Sequence, residues 1–553
     1  MAFTESFPSG LPTLPESLQS LISSIPPLPP SIHTYLSSLH VSLSVIHSTI
    51  TSFLSPPPIP IYILIPLLLS TIYLFSSLYV CRRLSHFPGP KTTSFSYFWI
   101  IKTLYSGKMG HLFAETHSTY NSQTIRIGPN DLLTCDPSLI KRTSSARSKY
   151  TRSEWYKLSR VDPYDDAMLN TLDTKYHDDL KAKTAAGYAG RESGMKTEQI
   201  VDKALLNVIR VIKERYADQP GKYLDLATMS QYFTLDSIAE IAFGLEWGLV
   251  DSESDKYGTM VMLEEIAPLA VVISGVPWLR AIMGSDIVLK MIGPSPKDEK
   301  GVGRMLPMAK SVVAERFGDD KMEKEDMLQS FIRHGLTQRE CETEALIQII
   351  AGSDTTATAL RATMLFLMTT PSVYQKLKKE IDSTKTKGKV VSTEEAVESG
   401  YLQGCILEGL RLFPPFTGIP FKVVPKEGDW TSDGKFIPPG TRVTPSIWAT
   451  GRLKEVFGED ADLFKPERWI LTKDTKEERE RLAEMRRVAE MVFGYGRWGC
   501  AGKVIAFMEL NKFFFELFRH FDFQLVYPFE PWQSKNHNLF LQNKMWVSVT
   551  SRE

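Results

Sequence analysis

The sequence predicts a mainly α-helical catalytic body with a smaller β part, preceded by an N-terminal transmembrane anchor. Three observations carry this. An uncharged apolar run extends from Ile59 to Val80, helical periodicity dominates from about residue 196, and short strand-like segments stand before and after the helices.

The run from Ile59 to Val80 satisfies the need of a spanning helix for roughly 20 apolar residues, and Pro66 within it is tolerable in a membrane. Arg82, Arg83 and Lys91 follow, whereas only Glu5 and Glu16 carry charge before it. The positive-inside rule then places the C-terminal side in the cytosol and the leader in the lumen, as in a single-pass protein of the endoplasmic reticulum. The distance from Met1 and the missing basic n-region argue against a cleaved signal peptide. The chain divides into a Ser/Pro-rich lumenal leader (1–58), the span (59–80), a basic, proline-rich hinge (81–92) and the catalytic domain (93–553). In the leader, Ile32, Tyr35, Leu36, Leu39, Leu43, Ile46, Ile50 and Phe53 recur at helical spacing. That pattern suits an interfacial helix better than a second span, because serine is dense there. Phe87-Pro88-Gly89-Pro90 is a stiff, non-helical link.

Lys plus Arg and Asp plus Glu each number 64, so no basic surplus points to nucleic acid. The hydrophobic share of 43% and charged share of 23% are those of a globular protein. Five scattered cysteines make neither a disulfide framework nor a zinc pattern.

Ile125–Asn130 and Leu132–Cys135 read as two strands around a turn. Asp225–Phe243 and Gln338–Thr369 are the clearest helices, the second opened by a Thr337/Glu340 capping box and bounded by Pro371. Strand patterns return at Gly418–Val424, Phe436–Pro445 and Lys544–Thr550. Lys473–Glu490 reads as a solvated helix laced with i,i+4 charge pairs.

Chemistry concentrates around Cys500, within Phe493-Gly494-Tyr495-Gly496-Arg497-Trp498-Gly499-Cys500-Ala501-Gly502. Glycines let a backbone approach a flat macrocycle and aim amides at sulfur, and Phe493 offers an apolar wall. An apolar helix from Lys503 to Phe518 follows, so the cysteine stands near a helix N-terminus, where negative charge is favoured. A cysteine thiolate is one of the axial ligands of haem iron and promotes O–O cleavage. In mid-helix, Ala351-Gly352-Ser353-Asp354-Thr355-Thr356 sets poor helix formers where good ones are expected, a local conflict that marks function. Glu408 and Arg411 stand three apart in an apolar setting, and Arg468 follows in Pro466-Glu467-Arg468-Trp469.

On these motifs the chain resembles the cytochrome P-450 family of haem-thiolate monooxygenases, from the anchor to the C-terminus. It is most similar to the membrane-bound fungal branch that includes pisatin-demethylase-like enzymes. The resemblance implies the P-450 fold and a haem b (iron protoporphyrin IX) ligated by Cys500, with Phe493, Gly496, Arg497 and Gly502 against the cofactor. It implies that Ala351 and Gly352 leave room for dioxygen, that Thr355 hydrogen-bonds the bound oxygen or its water, and that Asp354 relays protons. Glu408, Arg411 and Arg468 become a structural triad. Ala351, Phe416, Thr417 and Ile419 become pocket residues, with 538–540 and 245–285 as further candidates.

The sequence also departs from the family pattern. Trp498 stands two residues before Cys500 where relatives carry arginine, and Arg497 sits one residue earlier. His177 and Lys181 replace the usual Trp and Arg four apart, and Lys422 replaces an arginine that binds haem propionate. Lysine is a point charge where arginine is a fork. His177, Lys181, Lys422 and Arg497 are therefore the expected propionate contacts.

The implied activity inserts one oxygen atom into an apolar small molecule, in fungal secondary metabolism. Electrons come from NADPH through NADPH-cytochrome P-450 reductase, a membrane flavoprotein docking on the Cys500 side, since this chain carries no nucleotide fingerprint or flavin domain. A haem-thiolate isomerase or dehydratase, or a non-enzymatic haem sensor, would use the same ligand without a reductase.

Overall fold

In the computed structural model, the helix expected from Gln338 to Thr369 forms over those 32 residues. At 1.5 Å per residue it is about 48 Å long, enough to cross the catalytic body. Thr337 starts it with the expected capping box: its hydroxyl takes the Glu340 amide while the Glu340 carboxylate takes the Thr337 amide. The structure describes residues 45, 59–160, 165–190, 192, 196–318 and 323–552. The expected interfacial helix of the leader lies outside these residues.

The described residues divide into two units between Ser76 and Ser77. A helix runs from Ile59 to Arg83, is long and apolar enough to cross a membrane, and exposes Ile63, Leu64, Leu67, Leu68 and Phe75. It outlasts the expected span by a turn because its final carbonyls find a partner. The buried guanidinium of Arg126 donates to Val80 O (2.9 Å) and Cys81 O (3.0 Å), satisfying groups that a helix end leaves open. The link at Phe87–Pro90 is non-helical as expected, and Pro88 O accepts the Arg126 amide at 2.8 Å.

The body is helical with small sheets. A five-stranded sheet runs in spatial order Thr124–Gly128, Asp131–Thr134, Arg442–Pro445, Lys422–Val423, Thr151–Arg152. Only Lys422–Val423 of the expected strand at 418–424 is extended and paired; the preceding residues form a loop. Phe521–Leu525 pairs with Trp546–Ser551, and Gln533–His537 with Leu539–Asn543, around Asn538 at φ 69°. The charged stretch forms the helix Lys476–Ala489, burying Met485, Val488 and Ala489 and pairing outward charges such as Arg486 with Glu490 (3.6 Å).

The core lies where the central helix meets Leu226–Phe243, Gly400–Leu412 and Lys503–His520. Gly409 is required at one crossing, since a Cβ there would stand 2.0 Å from Thr363 Oγ1. Immediately before this crossing residue, Glu408 is fully buried and accepts from Arg411 (2.6 and 2.8 Å), Arg468 Nε (2.7 Å), Trp469 Nε1 (3.0 Å) and the Lys465 amide (3.0 Å). Arg411 and Arg468 spend their remaining donors on Gly451 O, Ala461 O, Phe457 O and Asp460. The expected triad therefore ties the helix Gly400–Leu412 to the segment that leads toward Cys500.

A second buried acid joins the central helix to the helix after Cys500. Glu509 hydrogen-bonds the Thr356 side chain, and burial pushes its carboxyl up to about 8.

Two outcomes follow. Glu408→Ala leaves two guanidinium groups buried without their carboxylate, and we expect a loss of about 3–5 kcal/mol, read by thermal unfolding. Glu509 keeps its proton in the folded chain while an unfolded chain releases it near 4.5. Its contribution is therefore complete at acid pH and is lost as pH rises from about 4.5 toward 8, on the order of 5 kcal/mol in all. Stability measured from pH 5 to 8 should flatten in Glu509→Gln, and an unchanged slope contradicts this.

Candidate active site

The loop before Cys500 is closed by its own backbone. Phe493 O accepts the Cys500 amide (2.7 Å), Met491 O the Gly494 amide (2.9 Å), and Gly496 O the Gly499 amide (3.1 Å). Gly496 has φ 55°, and a Cβ there would stand 2.4 Å from Ser144 O, so no other residue fits. Phe493 packs on Phe507 with ring centroids 5.2 Å apart. Gly502 caps the helix Lys503–His520, and a Cβ built on it meets nothing within 4 Å.

Cys500 is exposed, whereas Cys135, Cys341 and Cys405 are buried. Burial raises the thiols of Cys135 and Cys341 to about 12, which keeps them protonated. The protein around Cys500 is also dense enough that burial raises its thiol. There, however, the amides of Gly502 and Lys503 donate to sulfur, and the ammonium groups of Lys181 and Lys503 oppose the rise. Donors aimed at sulfur are what a ligating thiolate requires.

In the middle of the central helix, Ala351 is exposed and Ile350, Gly352 and Thr355 are half-buried. The Thr355 hydroxyl donates to Ala351 O at 2.8 Å. Asp354 is buried. Its Oδ1 lies 3.4 Å from Arg361 Nη1 and its Oδ2 has no partner. Arg361 also donates to Ala227 O (2.9 Å) and Gln231 Oε1 (2.5 Å). Burial raises the Asp354 carboxyl and Arg361 opposes this. Sequence reading missed Arg361, although its place two turns after Asp354 on one helix was a usable signal.

The four expected propionate contacts separate into different environments. Lys181 places its ammonium on the carbonyls of Arg497 (2.7 Å), Gly499 (3.1 Å) and Gly496 (3.4 Å), so it clamps the cysteine loop. Arg497 donates to Ala146 O (2.7 Å) and Ser148 O (3.2 Å) and pairs with Asp178 (3.2 Å). His177 is buried, and desolvation followed by Arg152 lowers it to about 4, so at neutral pH it is an uncharged ring. It lies 4.4 Å from the indole of Trp498. Lys422 is buried beside Tyr156 and Trp498. Arg152, which sequence reading did not select, faces the same indole at 4.4 Å.

Among the expected pocket residues, Phe416 is half-buried and faces Trp155 (6.5 Å). Thr417 is buried, its hydroxyl bonded to Asn536 (3.0 Å) and its amide to Asn538 O (2.8 Å). Ile419 differs from expectation. It is fully buried with Leu104, Val271 and Val272, because the helices Phe98–Tyr105 and Thr259–Gly275 need an apolar side chain between them.

These residues fit a haem. An exposed thiol stands at a helix N-terminus with amides aimed at its sulfur. Gly502 beside it can take a group against its backbone, and the buried Trp498 Nε1 has no hydrogen-bond partner. Among the described residues no cluster of His, Cys, Asp and Glu offers a competing metal site.

The comparisons agree with this geometry. The family model for cytochrome P450 matches residues 88–548. The chain is 45% identical over 499 residues to "Cytochrome P450 monooxygenase ABA1" of Pyricularia oryzae, covering 88% of this chain and 96% of the relative. It is 41% identical over 474 residues to "Cytochrome P450 monooxygenase aba1" of Botryotinia fuckeliana, covering 84% and 92%. Over 469 residues it is 39% identical to "Cytochrome P450 monooxygenase abl1" of Leptosphaeria maculans, covering 82% and 81%. With the model matched over most of its length and fungal relatives aligned nearly end to end, the chain belongs to the cytochrome P450 family and is a P450 monooxygenase.

Proposed function

We propose that this enzyme inserts one atom of O2 into an apolar small molecule of fungal secondary metabolism, with electrons from NADPH delivered by a flavoprotein reductase. The helix Ile59–Arg83 anchors it in the endoplasmic reticulum membrane, with the catalytic body on the cytosolic side. The observation that carries the reading is the pairing of an exposed, amide-facing Cys500 with a central helix whose middle opens over Ile350, Ala351, Gly352 and Thr355.

When bound, haem supplies oxygen activation, and a thiolate ligand favours O–O cleavage. Cys500 provides that thiolate, and the amides of Gly502 and Lys503 steady its charge. Lys181 holds the loop by three carbonyls, so the sulfur keeps its direction while the reductase docks on that side. Phe493, Gly496, Arg497 and Gly502 shape the loop against the macrocycle. The small, exposed Ala351 would leave room beside the bound group, and Thr355 holds a proton donor at its Oγ1 beside the Ala351 carbonyl. Asp354 carries the next proton at its unpartnered Oδ2, and Arg361 fixes its other oxygen. Phe416 and Thr417 border the substrate. Its apolar character follows from Ala351 and Phe416, the accessible side chains there.

The test is NADPH consumption by the full chain in vesicles with a purified fungal reductase. Consumption should require both proteins and should vanish in Cys500→Ser. Asp354→Asn should slow it roughly a hundredfold while leaving haem content unchanged. Turnover of a metabolite without reductase would instead support an isomerase or dehydratase. Haem binding with no turnover under either condition would support a sensor.

A further inference from the structure

A cleft of about 370 Å³ lies where the start of the helix Met109–Tyr120, the end of Gly400–Leu412 and the hairpin Gln533–Asn543 meet. That volume falls within the range of small-molecule sites, roughly 300–1,000 Å³. Cys500, Ala351, Thr355 and Phe416 take no part in its lining.

The floor of the cleft is aromatic. The Phe413 ring stands 4.3 Å from Phe540 and 5.3 Å from Trp532, centroid to centroid. Phe413 and Trp532 are half-buried, so part of each ring stays accessible. Trp448 braces Phe413 (5.1 Å) and Phe540 (5.7 Å). Asn536 Oδ1 takes the Gly110 amide (2.7 Å) and the Thr417 hydroxyl (3.0 Å), which ties the hairpin to the helix. Walls fixed in this way need little reordering to bind.

The mouth is positive. Lys108 is the N-cap of Met109–Tyr120, gives that helix no side-chain cap, and is followed by no acid in the first turn. The partial positive charge of a helix N-terminus is therefore left open there. Lys108 and His111 are both exposed, and the His111 ring stands 4.3 Å from Trp448. Burial, then Arg452 and Lys108, hold the His111 imidazole below its ordinary range, a mark of positive surroundings. Among the described residues that line the cleft there is no carboxylate.

We propose that this cleft is a second ligand site, separate from the haem pocket, for a small ring-bearing carboxylate. The ring lies on Phe413, Trp532 and Phe540. The carboxylate meets the Lys108 ammonium and the first turn of Met109–Tyr120. An aromatic floor alone would take any flat apolar compound; the charge at the mouth selects the acid. The site is independent of the oxygen chemistry at Cys500.

The probe is naphthoate, with naphthalene methanol as its neutral counterpart, titrated calorimetrically into purified holoenzyme whose iron is already ligated by a small azole. Naphthoate binding should survive the azole, and the alcohol should bind roughly tenfold more weakly. Lys108→Glu and Trp532→Ala should each weaken naphthoate roughly tenfold while the haem spectrum stays that of the wild type. Where Trp532→Ala fails to fold, Lys108→Gln, at an exposed position, should show a smaller loss in the same direction. Absence of naphthoate binding to the azole-ligated enzyme places the acid at the haem and overturns the proposal. Equal binding of the alcohol, or wild-type affinity in either Lys108→Glu or Trp532→Ala, overturns it as well.

Discussion

The constraint on which the rest depends is a carboxylate with no access to water. Glu408 is charged in a place where a lone charge could not be tolerated, and it is satisfied by two arginines, an indole and a backbone amide. Because Arg411 and Arg468 extend from it to the carbonyls of Gly451, Ala461 and Phe457, the irregular chain between 451 and 469 has one arrangement. That segment has little regular structure of its own. The helix Lys476–Ala489 and the cysteine loop continue from it, so this buried salt bridge fixes the segment from which the Cys500 loop departs. A hydrophobic replacement could match its stability but not the several donors that fix those carbonyls.

Much of this was legible in the sequence, for reasons that differ between elements. The central helix was bounded correctly because Thr337, Glu340 and Pro371 act locally. The cysteine loop was legible because glycines at fixed offsets are demanded by contacts such as that of Gly496 with Ser144 O. The ion-pair partners were legible because Glu408 and Arg411 share a helix face and Arg468 belongs to a recognisable segment.

What escaped was non-local. Arg152 lies in a two-residue strand, too short for any periodicity, and acquires its meaning only opposite Lys422. The hairpin Gln533–Asn543 begins with polar residues, and its register is set by a turn at Asn538 and by Thr417, more than a hundred residues earlier. Ile419 looked like a pocket residue from its loop, but packing against Leu104 and Val272 decides its direction. Lys181 and Arg497 were expected to contact the propionates from their places in the family's motifs, and here their donors go to backbone carbonyls. Charge alone does not distinguish a ligand contact from a clamp, and the hydrogen-bond partners do.

The central claim is that Cys500 serves as a haem thiolate. The most direct measurement is the carbon-monoxide difference spectrum of the dithionite-reduced full chain beside Cys500→Ser. We expect the long-wavelength Soret band of a thiolate-ligated ferrous haem in the wild type and its loss in the variant. A wild-type spectrum showing only the shorter-wavelength band of a histidine-ligated or unligated haem would contradict the account.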